Sequence, residues 1–332
     1  MGRRRALVLA GTVLGIVTHG PVAAAYCLQV SCDEAFCGGQ AGCSRDGVLC
    51  ALKEDGELSC KLCDSVAPPL DCKLIRWTDG CTGFSVNDAG SEKTNLGAEE
   101  VAGLLQRAFE SWTTAECPGG GRPGLYVYDM GVVPCDATDY YPAEEHAGNA
   151  NIVVFREDEW PNRVNGNGDG EIALTTLSYD LESGEVVDAD IEINSSAHAF
   201  TTDAMTDADP FRYDLLGVLT HETGHFLGLA HTEGSAAVMI PATTPDQAIE
   251  LRALTPDDVA AVCALYPPSA IDAACNPFPR HGFSPECASD QPEGSCSTTR
   301  VGVPSAMEVW RWLLLAAGLG FRLRGRPRQD QT

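Results

Sequence analysis

Eleven residues, His221-Glu222-Thr223-Gly224-His225-Phe226-Leu227-Gly228-Leu229-Ala230-His231, read H-E-x-x-H-x-x-G-x-x-H and offer three imidazoles and one carboxylate to a divalent metal. The chain has only seven histidines in 332 residues. A shuffled sequence of this composition would hold the five fixed letters with probability on the order of 10^-5, so chance is a poor explanation. Imidazoles four residues apart on a helix project from one face, one turn apart. A third ligand at helical spacing would fall too far along the axis, and Gly228 is a residue able to end the helix in the left-handed conformation so that His231 bends back. Three protein ligands, His221, His225 and His231, leave the fourth position of a tetrahedral zinc site open, which is the pattern of a catalytic site. Glu222 adjoins His221 and so cannot share the face of both helical histidines; it reads as a general base beside the metal, suited to hydrolysis at a polarised carbonyl.

Residues 213–227 lack proline and carry Leu215, Leu216, Val218, Leu219, Phe226 and Leu227, so they are predicted to form a helix with much of its surface buried. Upstream, residues 171–179 and 185–194 are rich in β-formers, and Val187, Ala189, Ile191 and Ile193 alternate with polar residues; both stretches read as strands. Thr255 is a natural N-cap for a last helix, with Pro256 suited to its first position and Asp257 and Asp258 complementing the positive end of its dipole. The predicted fold class is α+β.

With Met239 placed eight residues after the third histidine, the string resembles the metzincin metalloproteases, in which a methionine-containing turn lies beneath the metal. The candidate turn is Ala237-Val238-Met239-Ile240-Pro241, and its Met-x-Pro ending without a tyrosine is similar to the matrixin branch. Ala108-Phe109-Glu110-Ser111-Trp112 looks like the first helix of that family and residues 254–267 like its last, so the resemblance covers roughly residues 73–268. It implies a zinc protease domain with a mixed twisted sheet, an active-site helix and a Met-turn. Activity at one catalytic zinc is implied, with Glu222 as the base and a polypeptide in extended conformation as substrate. The strand over residues 172–177 corresponds in order to the sheet edge where a matrixin substrate adds as an antiparallel strand. The loop of about residues 241–252 would shape the pocket for the side chain after the cut. Two family features are missing: the prodomain motif P-R-C-G-x-P-D, and the spacing of a second, structural zinc site among His146, His198 and His281.

The ends and the cysteines set the compartment. Residues 1–25 join Arg3-Arg4-Arg5 to an apolar stretch and small residues before Tyr26, as a secretory signal peptide does. Residues 312–321 are apolar and precede Arg322, Arg324, Arg326 and Arg328; with Cys296 upstream they look like a degenerate form of the tripartite sorting tails of myxobacterial surface proteins. A plain amphipathic terminal helix is the other reading. Of the fifteen cysteines, assigning Cys296 to the tail leaves an even set for disulfides in an exported chain. Eight of them crowd between Cys27 and Cys72 in a segment too short to build much core. The expected organisation is a leader at 1–25, a disulfide-rich segment at 26–72, a catalytic domain at 73–268, a cysteine-bearing extension at 269–296 and a sorting or anchor tail at 297–332. A secreted protein, or one attached to the cell surface by that tail, is expected.

The formal charge is −25, and without the leader and tail 13 basic residues face 45 acidic ones, a net of −32. Such a body repels nucleic acid and excludes it as a partner. Most of the carboxylates read as solvated surface. Asn165, Asn167 and Asp169, in Asn165-Gly166-Asn167-Gly168-Asp169-Gly170, match the first half of a calcium loop, and a glycine-rich turn explains them nearly as well. Asp188, Asp190 and Glu192, on one strand face, are a weaker cation candidate. Two function classes remain: a zinc endopeptidase, generic or dedicated to one partner, and a surface binding or adhesion module that keeps the zinc scaffold without turnover. An intact Glu222 favours the enzyme, because a binder has no chemical need for a base beside an open metal position.

Overall fold

The computed structural model describes residues 27–31, 46–51, 58–60, 73–138, 149–160, 170–180, 182–202, 211–232, 237–268, 275–280 and 282–285. All of these lie in the first of two units, Met1–Ser289. The expected leader and tail and the calcium-loop candidates Asn165, Asn167 and Asp169 lie outside the described residues.

The main sheet has five strands, named here in chain order: β5 (Cys81–Asn87), β6 (Tyr126–Val133), β7 (Ile152–Phe155), β8 (Ala173–Tyr179) and β9 (Val186–Ile193). Their spatial order is β6-β5-β7-β9-β8, with β5, β6, β7 and β9 mutually parallel and β8 antiparallel at the edge. This is the mixed sheet of an α+β fold. A smaller sheet joins β1 (Cys27–Ser31), β2 (Asp46–Ala51), β3 (Leu58–Cys60) and β4 (Lys73–Leu74) to β12 (Leu229–Ala230), and β10 (Ala199–Thr201) pairs in parallel with β11 (Arg212–Asp214).

Among the described residues three α-helices pack around the main sheet: α1 (Ala98–Thr113), α2 (Leu215–Phe226) and α3 (Pro256–Leu265). On α1, Val101, Leu105, Ala108 and Trp112 recur at helical spacing and are fully buried, so one stripe of the helix faces the core. Its indole locks it to α2, because Trp112 Nε1 donates to Thr220 O at 2.9 Å. The predicted boundaries of α2 and α3 hold to within about two residues.

The end of α2 is buried, and its last carbonyls need partners. They find them in distant side chains: Trp77 Nε1 donates to Phe226 O at 3.0 Å, and the Tyr266 hydroxyl donates to Leu227 O at 2.8 Å. Burial pushes the Tyr266 phenol well above its ordinary pKa, so it stays a donor. Gly228 follows at φ +95°, and a Cβ there would meet Ile75 O at 2.2 Å. Both the left-handed backbone and the close approach require glycine.

The polar face of β9 departs from expectation. Asp188, Asp190 and Glu192 are almost fully buried rather than solvated. Ile152 N donates to Asp190 Oδ1 at 2.7 Å, Asp188 and Asp190 share a hydrogen bond, and Arg156 Nε meets Glu192 Oε1 at 2.7 Å. The alternation of residues along β9 is real, but both faces of this inner strand are covered. The disulfides Cys81–Cys275 and Cys117–Cys263 close long loops; the first ties the expected extension to β5.

Candidate metal centre

Helix α2 starts at Asp214, whose Oδ1 accepts from Gly217 N at 2.7 Å as an N-cap. Arg252 Nε donates to the same carboxylate atom at 2.8 Å, which fixes the helix start against the 3-10 turn Ala248–Arg252. Gly217 must be small, because a Cβ would lie 2.0 Å from Ala248 O. The helix is thereby held at both ends, and His221 and His225 project from its outer face.

His231, past the Gly228 turn and β12, swings back to meet them. His225 Nε2 and His231 Nε2 lie 3.0 Å apart, and His231 Nε2 and His221 Nε2 lie 3.3 Å apart. A tetrahedral zinc with Zn–N bonds of 2.0–2.1 Å sets its ligand nitrogens about 3.3 Å from one another, so the spacing fits the ion. On two of the rings the other nitrogen is already used: His221 Nδ1 donates to Val238 O at 2.7 Å and His225 Nδ1 to Leu229 O at 2.8 Å. A carbonyl only accepts, so Nδ1 must carry the proton and Nε2 presents its lone pair to the shared point.

Electrostatics favour the neutral form of each ring. Burial, with the neighbouring imidazoles adding to it, holds His225 well below the ordinary histidine range. Burial likewise lowers His221, and burial with His221 alongside brings His231 down to about 4. All three rings are neutral at physiological pH. Among the described residues these three form the one cluster able to chelate an ion, and Glu222 is not part of it.

Glu222 is buried. The Thr175 hydroxyl, on edge strand β8, donates to Glu222 Oε2 at 2.6 Å and also lies 3.2 Å from Glu222 O. Burial raises the carboxyl to about 7, with the Thr175 hydrogen bond opposing part of that rise. Near neutral pH such a group both takes and returns a proton.

Met239 is buried and its sulfur packs on Gly224 of α2, where a Cβ would meet it at 2.3 Å. The turn carrying Met239 is pinned by Asp258: Val238 N donates to its carboxylate at 2.9 Å, and Thr255 N and Oγ1 donate at 2.8 and 2.7 Å. Val238 O in turn bonds His221, so Asp258 supports a ligand through one peptide. Its sequence signal is the Thr255-x-x-Asp258 capping box, legible as a helix start but silent about the turn. Thr175 carried no sequence signal, since its partner lies on another element.

A cleft of about 820 Å³ runs past the three rings. Where α2 begins it is lined by Tyr213, Val218, Ile240 and Leu251, and where α2 ends by Gln29, Ile75 and Ala230. Its long wall is β8, which within the described residues pairs with β9 alone.

No curated protein matches this chain. The family model described as Matrixin, a peptidase family, matches residues 133–267, from the end of β6 to the residue after Tyr266. That stretch contains all three histidines, Glu222 and Met239 and leaves out β1, β5 and α1. Residues 133–267 are therefore similar to the matrixin peptidases.

Proposed function

We propose that the protein is a secreted or surface-attached zinc endopeptidase that cleaves polypeptides held in extended conformation. The observation that carries this reading is the convergence of three imidazole Nε2 atoms beside a buried carboxyl that is not itself a ligand. When bound, zinc supplies Lewis acidity that polarises a peptide carbonyl and acidifies water.

The chain's own residues supply the rest. His221, His225 and His231 hold the ion, their tautomers set by Val238 O and by Leu229 O where those bonds exist. Glu222 takes a proton from the attacking water on its carboxylate and later gives it to the departing amine. Its pKa near 7 suits both transfers. The edge strand β8 accepts the substrate backbone as an added antiparallel strand, which selects extended segments. Met239, packed under Gly224, acts as the Met-turn that supports the histidine platform. Residues 1–25, read as a signal peptide, and the tail at 297–332 support export and surface attachment; the calcium reading at Asn165, Asn167 and Asp169 stays a proposal on sequence grounds alone.

A fluorogenic peptide library assayed with and without a chelator tests this reading. Chelator-sensitive cleavage is expected, and Glu222→Ala is expected to keep one zinc per chain while losing at least about 10²-fold in turnover. A wild-type protein that retains zinc and cleaves nothing would favour the adhesion-module reading, and a fully active Glu222→Ala would remove Glu222 from its role.

A further inference from the structure

The third ligand presents a physical problem. His231 is exposed and stands outside the helix, so in a free loop it would lose chain entropy on every binding event. A strand from the far N-terminus meets that loop. β1 runs antiparallel to β12, with Cys27 opposite Ala230 and Leu28 opposite Leu229, so it braces the two residues that precede His231.

The contacts reach the metal ligands themselves. Gln29 N donates to Gly228 O at 3.3 Å, and Gln29 Nε2 approaches Leu229 O at 3.4 Å. Leu229 O is the acceptor that fixes the His225 tautomer. On the other side of the strand, Leu28 is 1% exposed and packed in the core. Gln29 O accepts from Ile75 N at 3.0 Å, and Val30 and Ser31 pair with β4, so β1 is anchored to the body as well as to the loop. The alternation of the strand sends Leu28 inward and Gln29 to the cleft.

We infer that β1 is an intramolecular strap that preorganises His225 and His231, and that zinc affinity depends on Gln29, a positioning residue about 200 positions away in sequence. The N-terminal segment is then a permanent part of the metal-binding unit rather than a piece to be discarded. Outer partners of metal-bound histidines commonly change metal affinity by 10–100-fold when lost, and a strap that fixes both a ligand's acceptor and the neighbouring ligand's loop belongs to that class. This inference rests on the zinc-site reading above but not on peptide cleavage.

The test is zinc affinity of the full chain, measured by competition with a chromophoric chelator. Gln29→Pro removes the backbone donor to Gly228 O and the side-chain amide together; at least tenfold weaker zinc binding is expected. Gln29→Ala keeps the ladder and removes only the amide, with about threefold weakening expected and an unchanged unfolding temperature in excess chelator. A role in general stability alone would lower that temperature and leave the affinity of the folded protein alone. If Gln29→Pro has the circular dichroism of the wild type, its affinity decides: binding within twofold of wild type overturns the strap. If Gln29→Pro does not fold, Gln29→Ala decides by the same criterion. A wild-type chain that binds no zinc sinks both the strap and the peptidase, whereas tight zinc without cleavage sinks the peptidase alone.

Discussion

At the scale of single residues, the site depends on which atom holds each proton. Backbone carbonyls opposite Nδ1 turn two histidines into lone-pair donors at Nε2, and burial keeps all three from competing protonation. Glu222 needs similar control, because a carboxylate free to rotate would spend little time aimed at the reacting water. Thr175 supplies it through a 2.6 Å hydrogen bond to Oε2. A hydrogen bond to a carboxylate contributes about 1.5–3 kcal/mol, and only part of that concerns orientation. Thr175→Val, which keeps the branched shape and loses the donor, is therefore expected to lower kcat about tenfold with KM near its wild-type value, and Thr175→Ser to restore most of it. Steady-state kinetics on the best library peptide check this. An equal change in KM for the valine variant would mean that Thr175 shapes the strand edge instead.

At the scale of elements, local signals were legible and pairings across the chain were not. The span of α2, its Gly228 terminator and the Thr255 cap of α3 follow from periodicity, backbone conformation and capping chemistry, all written in neighbouring residues. The β1–β12 ladder joins residues about 200 positions apart, and nothing in Cys27-Leu28-Gln29 names its partner. β9 shows the same limit from another side: Asp188, Asp190 and Glu192 look like a wet face until Arg156, Asn151 and Ile152 are folded onto it. Burial raises Asp188 to about 6, while burial and the adjacent Asp188 charge raise Asp190 well above the carboxylate range. The folded state thus holds protons that the unfolded chain has released above pH 3.8. Stability from this pair is present below that pH and is lost as pH rises, through about 6 for Asp188 and through the raised pKa of Asp190. Asp190→Asn cannot ionise yet still offers an oxygen to Ile152 N and an N–H to Asp188. In excess chelator it is expected to melt roughly 3–6 °C above wild type at pH 7.5 and level with it at pH 4.5. Histidine titration is common to both proteins and cancels in the difference. A gap that does not depend on pH would mean the pair shares no proton.

At the scale of the whole molecule, the site is assembled from distant parts of the chain. β1 comes from the N-terminal segment, β8 from the sheet edge, α2 from the middle and Asp258 from α3. Cross-links at 194 and 146 residues of separation span most of that distance. Cys117–Cys263 joins the loop after α1 to α3, the helix whose Asp258 holds the turn under His221. By chain entropy alone, a loop of that length contributes about 5 kcal/mol through restriction of the unfolded state, with smaller values usual in practice. Its loss should act on α3 and reach the metal through Asp258, Val238 and His221. The double variant Cys117→Ser/Cys263→Ser is therefore expected to melt about 5–10 °C lower than wild type in excess chelator. Zinc adds stability only to chains that bind it when folded, by an amount that grows with the ratio of free zinc to Kd. If the disulfide serves the site as well as the body, the added stability on zinc saturation shrinks in the double variant relative to wild type. Melting curves at two zinc concentrations separate the cases. An equal zinc-induced rise in both proteins would confine this cross-link to general stability and leave the turn beneath His221 to Asp258 alone.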